Sequence, residues 1–236
     1  MKAFYDLHIH SALSPCADNE MTPNNIVNMA YVKGLDIIAV TDHNAALNCE
    51  AVLKCAQNRG VVAVPGMELE TKEEVHLVCL FPGLDEVLKM QSIVNQTLPQ
   101  IENREDIFGQ QIIMDEDDNI IGKNNQLLLT ATGLCVDEVF DKVSHLGGVV
   151  VPAHIDRDSF SIISNLGIVP DYLGIKYLEV SKGCLVNDFL RSNPYLSQYN
   201  IMKSSDAHNL GSLLEKESSI EVREISIECL FETLKK

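Results

Sequence analysis

The stretch Tyr5-Asp6-Leu7-His8-Ile9-His10-Ser11 decides how the rest of this sequence is interpreted. Successive side chains of a β-strand point to opposite faces, so His8 and His10 would point the same way, about 6–7 Å apart along the backbone. Two imidazoles side by side at the end of a strand can bind one metal ion. They can equally be two hydrogen-bonded histidines on a half-buried face, and this stretch alone leaves both interpretations open.

An apolar strand that ends in polar residues recurs along the chain. Segments that predict strands lie at 35–40, 61–64, 75–81, 149–153, 177–180 and 201–204. Helix patterns lie between several of them, at about 45–58, 86–96 and 133–146. Strands that alternate with helices through short links predict parallel βαβ units and an α/β fold whose sheet is covered on both faces. In such folds, polar residues at the carboxyl ends of the strands form the functional site.

The alternation is interrupted between about residues 84 and 132. The helix at 86–96 is followed by an acidic run at 115–119, which apolar residues at 112–114 and 120–121 flank. Two apolar segments around a polar turn predict a hairpin. We therefore expect a helix and hairpin excursion from an otherwise regular domain, with the acidic run as a solvated turn.

Length and composition are those of one substantial domain. The chain has 236 residues, 46% of them hydrophobic and 22% charged, so we expect a single domain over residues 1–236 with a normal core. The formal net charge is −16 and the pI about 4.7. An acidic surface repels polyanions, which argues against binding of long nucleic acids. Bound divalent ions would reverse the local sign, so a nucleotide or a short oligonucleotide end stays compatible with this charge.

The cysteines and the apolar segments indicate the compartment. Seven cysteines are scattered along the chain without a CxxC pair, which is neither a disulfide framework nor a thiolate zinc site. No basic, apolar, cleavable leader precedes the first strand, and no apolar run approaches membrane-spanning length. The sequence therefore predicts a reduced, soluble, cytoplasmic protein with no membrane partner. It does not indicate an oligomeric state.

All the histidines except His145, late in a helix, lie at or within the ends of predicted strands, together with carboxylates. These strand-end residues are His8, His10, His43, Glu68, His76, His154, Asp206 and His208. A single strand-end histidine is usually a core residue, but so many of them in a fold whose strand ends converge indicate metal ligands. Imidazole and carboxylate donors suit Zn²⁺, Mn²⁺ or Fe²⁺. The number of donors predicts two or three ions, some of them bridged by a carboxylate.

These residues lie in motifs that resemble the PHP (polymerase and histidinol phosphatase) metallophosphoesterases. The matching motifs are Asp6-Leu7-His8-Ile9-His10-Ser11, Thr41-Asp42-His43-Asn44, Gly66-Met67-Glu68, His76 within its apolar strand, Ala153-His154 and Ser205-Asp206-Ala207-His208. They occur in the order found in the family and cover nearly the whole chain. The resemblance implies a distorted seven-stranded β/α barrel, similar to a TIM barrel, with a trinuclear metal site.

The resemblance also implies how the ligands are shared among the ions. Carried over by position, the first ion would be held by His8, His10, Glu68 and Asp206. Glu68 would bridge to the second ion, which His76 and His154 would also hold, and His43 and His208 would hold the third.

The third ion needs one more ligand from the loop after the first motif. Family members place histidine or aspartate there, and this loop resembles the aspartate version. The resemblance implies Asp18, with Cys16 and Glu20 as alternatives because the loop is longer than usual.

Such a site would hydrolyse phosphate esters. Two bridged ions lower the pKa of a water so that hydroxide is available near neutral pH, and the hydroxide would attack phosphorus in line with the leaving oxygen. Glu68 and Asp206 are therefore expected to serve catalysis as well as metal binding. Arg157 is expected to bind the phosphate through its planar guanidinium, with a surface salt bridge to Asp156 or Asp158 as the alternative.

The sequence supports weaker predictions for three further polar residues. Lys182 is a second phosphate candidate, and Asp42 is expected to orient an imidazole from behind the ligands. Glu70 is expected to interact with solvent and not with metal.

Two functions of different classes fit this sequence. The first is a free-standing metal-dependent phosphoesterase that acts on a small phosphorylated metabolite or a nucleotide. The second is a binding or regulatory domain that keeps the metal ions without turnover. The full ligand set favours the enzyme, and the excursion at 84–132 is the expected source of substrate specificity.

Overall fold

A computed structural model describes residues 1–236. The strands are β1 Lys2–Ile9, β2 Ile37–Val40, β3 Val62–Glu70, β4 His76–Leu80, β5 Ile112–Met114, β6 Ile120–Lys123, β7 Val149–Pro152, β8 Tyr177–Val180, β9 Asn200–Lys203 and β10 Ser219–Glu221. The α-helices are α1 Pro23–Val32, α2 Cys49–Gln57, α3 Leu84–Thr97, α4 Glu105–Phe108, α5 Val136–His145, α6 Ile162–Leu166, α7 Val186–Ser192 and α8 Ile227–Leu234. None of these helices is long and apolar enough to cross a membrane.

Helix α1 shows how local sequence signals set the element bounds. The Thr22 side chain accepts a hydrogen bond from the backbone N–H of Asn25, and Pro23 occupies the first turn, where its missing N–H costs nothing. Beyond the last turn, Gly34 has a φ of +72°, a left-handed conformation that glycine adopts without strain. Cap, proline and glycine together fix the length of the helix.

The main sheet is mixed and curled into a half-barrel. Its six strands lie in the order β10-β1-β2-β3-β4-β7, and β8 and β9 form a separate parallel pair. Strands β1, β2 and β3 are parallel, as the sequence predicts, whereas β4 is antiparallel to both β3 and β7.

The predicted parallel βαβ pattern therefore ends at β4, and β10 is likewise antiparallel to β1. Strand β3 does not end at residue 64 but continues through Gly66 to Glu70, and only residues 71–75 separate it from β4. Parallel neighbours need a crossover of a dozen residues or more, so this short link forces a hairpin. At Gly66 an added Cβ would lie 2.8 Å from Thr41 Cγ2, so glycine allows β3 to pass close to its neighbour.

The two sheets meet at the ends of β7 and β1. Beyond β7, Ile155 donates a backbone hydrogen bond to the carbonyl of Glu179 on β8, 2.8 Å away. Beyond β9, Ala207 exchanges backbone hydrogen bonds with His8 and His10 on β1. A continuous seven-stranded sheet is not observed, but these contacts bring the carboxyl ends of both sheets together.

Three apolar clusters fill the layers of the fold. One collects side chains from β1, β2, β3, β4, β7 and β9 and closes on Leu230, Phe231 and Leu234 of α8. A second packs the opposite face of β3 and β4 against α3 and α5, and a third packs β2 against α1 and α2. Both faces of the main sheet are therefore covered, as predicted. Each fully buried aliphatic side chain contributes roughly 1.5–3 kcal/mol to folding.

The excursion is present, with the predicted hairpin formed by β5 and β6. Its acidic turn is not simply solvated. The Asp118 carboxylate accepts hydrogen bonds from Thr22 Oγ1 at 2.7 Å and from the Asn24 backbone N–H at 3.0 Å. A carboxylate at the first turn of a helix satisfies free N–H groups and the helix dipole, so the hairpin is fastened to α1.

Candidate metal centre

Glu68 lies at the centre of the strand-end cluster. It is only 1% exposed. Its Oε1 atom lies 3.2 Å from His8 Nε2, 3.0 Å from His76 Nδ1 and 3.2 Å from His154 Nε2. One carboxylate oxygen therefore faces imidazoles from β1, β4 and the end of β7.

The second oxygen of Glu68 faces a different set. Oε2 lies 2.8 Å from His43 Nδ1 and 3.5 Å from His10 Nε2. The two oxygens are thus directed at separate groups of nitrogen donors, which is the arrangement that a carboxylate bridge between two cations requires.

Asp206 closes the cluster from the other side. Its Oδ1 lies 3.0 Å from His10 Nε2, 3.5 Å from His8 Nε2 and 3.6 Å from His208 Nδ1. The loop that carries it is fastened by Asp6, whose carboxylate accepts hydrogen bonds from the backbone N–H groups of Ser205 and Leu214. Asp6 is the buried polar residue of β1 that begins the first motif.

The donor atoms fit divalent ions. In each of three groups of residues, the possible ligand atoms lie within 4.8 Å of one another. The groups are His8, His10 and Glu68; His43, Glu68 and His76; and His10, His43 and His208. Glu68 Oε2, Asp206 Oδ1 and His154 Nδ1 are buried without a hydrogen bond of acceptable geometry, although imidazole nitrogens lie close to both oxygens. Buried carboxylate oxygens without hydrogen bonds are costly, and a cation between the donors would remove that cost.

Without ions, the cluster balances its own charges. Burial raises the pKa of Glu68, but His76, His8 and His43 outweigh this effect and hold the pKa well below its usual range. Burial likewise opposes protonation of His8 and His43, yet the carboxylates beside them raise both pKa values well above the usual range. His10 is the exception, because burial and the neighbouring His43 lower its pKa to about 3.

These shifts predict that metal binding releases protons. With pKa values well above the usual range in the metal-free protein, His8 and His43 carry protons that an ion must displace, whereas Glu68 is already ionised. Affinity should therefore rise with pH, about tenfold per pH unit for each displaced proton. Calorimetric titration with Zn²⁺ in two buffers of different ionisation enthalpy measures the release. A heat that is independent of the buffer would contradict this prediction.

Glu179 also belongs to the cluster, although it lies in none of the strand-end motifs. It is 3% exposed, and its Oε1 lies 2.8 Å from His8 Nδ1 and 3.3 Å from the backbone nitrogen of His154. Such a contact fixes the tautomer and orientation of His8, so that Nε2 faces the cluster. The available signal was a carboxylate inside the otherwise apolar strand β8.

Asp42 acts as predicted, but through a serine. Its carboxylate accepts hydrogen bonds from the Ser11 backbone N–H and from Ser14 Oγ, both at 2.7 Å. Ser14 Oγ in turn lies 3.0 Å from His10 Nδ1. The chain Asp42–Ser14–His10 orients the second imidazole of β1.

The loop after β1 carries the three candidates for the remaining ligand of the third ion. Cys16, Asp18 and Glu20 are all exposed, and none of them belongs to a metal-compatible group. Asp18 reaches the site only through its backbone N–H, which donates to the His208 carbonyl at 2.9 Å. Burial opposes ionisation of the Cys16 thiol, but contacts with His208 and His43 outweigh it and lower the thiol pKa to about 7.

The two phosphate candidates also differ. Arg157 Nη2 lies 2.8 Å from Asp206 Oδ2, and the side chain is 43% exposed, so it lies at the edge of the cluster and not in the alternative salt bridge with Asp156 or Asp158. Lys182 donates to the carbonyls of Ser212 and Leu213 instead, away from the donors.

A cavity of about 590 Å³ opens over the donors. His43, Glu68, His76, Asp206 and His208 line it, together with Arg157, Glu70, Glu74, Phe160 and residues 129–131 of the excursion. Glu70, expected to face solvent, is buried in this wall, with Oε2 3.9 Å from His76 Nε2. The volume suits a small ligand.

The backbone is strained where the strand ends meet. His154 and Asp206 have φ values of +30° and +51°, and Asn44 and Phe160 are also left-handed. Non-glycine residues in this region cost on the order of 1–3 kcal/mol each, and such strain clusters at functional sites. Here it accompanies the convergence of His154 and Asp206 on the donor cluster.

Fold and donors together define an α/β domain with a buried cluster of histidine and carboxylate donors at its strand ends, the residue types that bind divalent ions. The family model described as "PHP domain" matches residues 6–175. The chain belongs to this family, as the motif resemblance predicts.

Comparison with single proteins gives partial matches. A 5'-3' exoribonuclease of Haemophilus influenzae is 32% identical over 79 residues, which are 32% of this chain and 28% of that protein. The lesion-specific endonuclease Q of Pyrococcus furiosus has a TM-score of 0.71 and 21% identity over 100% of this chain. This chain covers 56% of the endonuclease. Endonuclease Q has also been solved with a 27-mer duplex that carries an abasic lesion at its active site.

A third protein matches over nearly its full length. The structure from Bifidobacterium adolescentis classed as a metal-dependent phosphoesterase has a TM-score of 0.63 and 18% identity. The match covers 98% of this chain and 95% of that one. At these identities the solved structures establish a shared fold.

Proposed function

We propose that this protein is a metal-dependent phosphoesterase. The observation that carries the proposal is Glu68, whose two oxygens face separate groups of imidazoles in a cavity of about 590 Å³. The family, the endonuclease and the exoribonuclease support it, because phosphodiester cleavage is the activity that the names of both relatives describe.

The centre is proposed to hold two to three divalent ions of Zn, Mn or Fe. The first would be held by His8, His10, Glu68 and Asp206, the second by Glu68, His76 and His154, and the third by His43 and His208. The grouping of His8, His10 and Glu68 supports the first ion of this division, and the grouping of His43 with His208 supports the third. His10 also groups with His43 and His208, and His43 also groups with Glu68 and His76.

The remaining ligand of the third ion is proposed to come from the loop after β1. Asp18 was expected there, with Cys16 as an alternative, and both residues are exposed. The effect of His208 and His43 on the pKa of the Cys16 thiol supports Cys16.

The protein's own residues supply positioning and phosphate binding. When bound, the ions would lower the pKa of water and neutralise charge on the phosphoryl oxygens. Glu179 and Ser14 hold His8 and His10 in fixed orientations. Arg157 would bind the phosphate, and for this its guanidinium would leave Asp206, which would become free as a ligand.

Arg157→Ala should raise the KM for a phosphate monoester about tenfold and leave the metal content unchanged. A charge-assisted bidentate contact is lost, but the group is half exposed and therefore screened, which limits the effect. Steady-state kinetics and elemental analysis measure both quantities. Arg157→Lys keeps the positive charge but lacks the planar guanidinium, so its KM should lie between those of the wild type and Arg157→Ala. An unchanged KM in Arg157→Ala would remove Arg157 from the phosphate site.

The proposed substrate is a small phosphorylated metabolite or a nucleotide. The cavity has the size for it, and the carboxylates of Glu70 and Glu74 in its wall disfavour a second phosphate. A nucleic-acid strand end is the second candidate, favoured by the exoribonuclease and by endonuclease Q bound to a duplex. These relatives weaken the argument from net charge against nucleic acid.

One experiment separates these functions. The protein is freed of metal with a chelator, reconstituted with Mn²⁺ or Zn²⁺, and offered sugar phosphates, nucleoside monophosphates and short oligonucleotides. We expect metal-dependent release of phosphate from small monoesters. Stepwise release of nucleotides from oligonucleotides would favour the second candidate. Tight metal binding without hydrolysis of any compound would favour the regulatory domain without turnover.

We also infer that the sheets act as one barrel in a single domain. Strands β1 to β4 and β7 to β9 make seven around a shared apolar interior, and hydrogen bonds beyond β7 and β9 link the two sheets. From the spacing of the cysteines we also propose a reducing, cytoplasmic location.

A further inference from the structure

Phe160 is an aromatic residue at the mouth of the metal cavity. It lies in the loop between β7 and α6 and is 41% exposed. Its ring stacks on the imidazole of His76, with the ring centroids 4.7 Å apart and the planes at 27°. It lines the same cavity as Glu68 and Asp206. Part of a large aromatic surface is therefore open beside the proposed ions.

The backbone holds Phe160 there in an unfavourable conformation. Its φ is +55°, which bulky side chains rarely adopt. The Phe160 carbonyl accepts a hydrogen bond of 2.9 Å from the backbone N–H of His76, which ties the loop to β4. Strain of this kind is kept where the surrounding structure positions a side chain for a ligand.

The rest of the cavity indicates what the ring could contact. Its apolar lining consists of Leu129, Ala131 and Phe160, whereas Glu70 and Glu74 offer carboxylate oxygens. Carboxylates accept hydrogen bonds from hydroxyl and amino groups but repel further phosphate. The cavity thus suits one phosphate near the donors and Arg157, an aromatic group on Phe160, and hydroxyl or amino donors between them.

We propose that Phe160 stacks against the base of a nucleotide whose phosphate lies in the metal centre. This inference rests on the proposed phosphoesterase function and narrows its substrate class to nucleotides, free or at the end of a strand. A nucleoside monophosphate carries all three features in one molecule of suitable size. Stacking on an aromatic side chain tolerates different bases, because every base has a π-face. The competing role for Phe160 is to cover His76 and contact no substrate.

The test compares two ligands that differ only in the base. Calorimetric titration measures binding of the non-cleavable phosphonate analogues of adenosine 5′-monophosphate and of ribose 5-phosphate to the metal-loaded protein. We expect the adenosine analogue to bind about tenfold more tightly. Phe160→Leu, which keeps an apolar cover over His76, should bring the affinity ratio close to one. Phe160→Trp should keep the ratio or increase it.

Tyr195→Leu is the matched control. Tyr195 is also an exposed aromatic residue, 46% exposed and absent from the metal cavity, so its removal should not change the ratio. Equal affinity of wild type for the two analogues, or a ratio that survives in Phe160→Leu, would overturn the proposal. If Phe160→Leu loses metal, Phe160→Trp becomes the deciding variant. An affinity ratio close to one for the two analogues in Phe160→Trp would then overturn the proposal.

Hydrolysis of adenosine 5′-monophosphate by wild type is measured in parallel. Base-dependent binding without hydrolysis would support the role of Phe160 and contradict the proposed catalysis. Hydrolysis with equal binding of both analogues would contradict the role of Phe160 alone.

Discussion

Glu68→Gln should bind metal less tightly at two sites and hydrolyse phosphate esters more than a hundredfold more slowly. The amide keeps the shape of the side chain but lacks the charge and the second anionic oxygen, and both Glu68 oxygens face nitrogen donors in the structure. Changes behind the ligands typically cost 10- to 100-fold, and loss of a bridge should exceed that range. Elemental analysis and steady-state kinetics on the reconstituted variant measure the two effects.

Glu70→Gln is the control on the same strand. Glu70 is also buried, but its nearest approach to an imidazole is 3.9 Å, to His76. We expect this variant to keep its metal content. If Glu70→Gln lost metal and turnover while Glu68→Gln kept both, the assignment of the bridge to Glu68 would be wrong.

Glu179→Ala should lower metal affinity 10- to 100-fold without removing any ligand. The variant leaves His8 Nδ1 without its carboxylate partner, so the ring loses its fixed tautomer and orientation. Competition with a chromophoric chelator measures the affinity, and circular dichroism checks the fold. Glu179→Gln can still accept a hydrogen bond and should show a smaller loss.

The matched control for Glu179 is Glu221→Ala. Glu221 is a strand carboxylate on β10, exposed and paired with Lys2 across the sheet. Its loss should leave metal affinity unchanged. Wild-type affinity in Glu179→Ala would show that His8 is held by packing and not by the carboxylate.

The ligand cluster could be predicted because each donor lies in a short motif at a strand end. His8, His43, Glu68 and Asp206 need only the local strand and the convergence of strand ends to come together. The structure brings them together as the motifs imply. The role of Glu179 could not be predicted in this way, because it depends on a contact with His8, which is far away in the sequence.

The direction of β4 could have been predicted from the length of its link to β3. The continuation of β3 beyond Gly66 was not evident, because Pro65-Gly66 is typical of a turn. Tertiary pairing with β4 overrides that local preference. The five-residue link 71–75 then leaves only an antiparallel hairpin.

The loops around the centre were the least predictable part. The fastening of Asp118 to α1 joins residues that lie far apart in sequence. The exposure of Phe160 depends on a left-handed backbone and a hydrogen bond to His76, and neither leaves a pattern in the sequence. Local sequence does not disclose long-range contacts of this kind, whereas it does disclose donors in strand-end motifs.

Counting the bound ions tests the central claim most directly. The claim is that the strand-end cluster is a multinuclear centre bridged by Glu68. The protein is stripped of metal, reconstituted with Mn²⁺ or Zn²⁺, freed of excess ion and subjected to elemental analysis. We predict two to three equivalents of metal per chain. At most one equivalent after reconstitution with either ion would contradict the multinuclear centre.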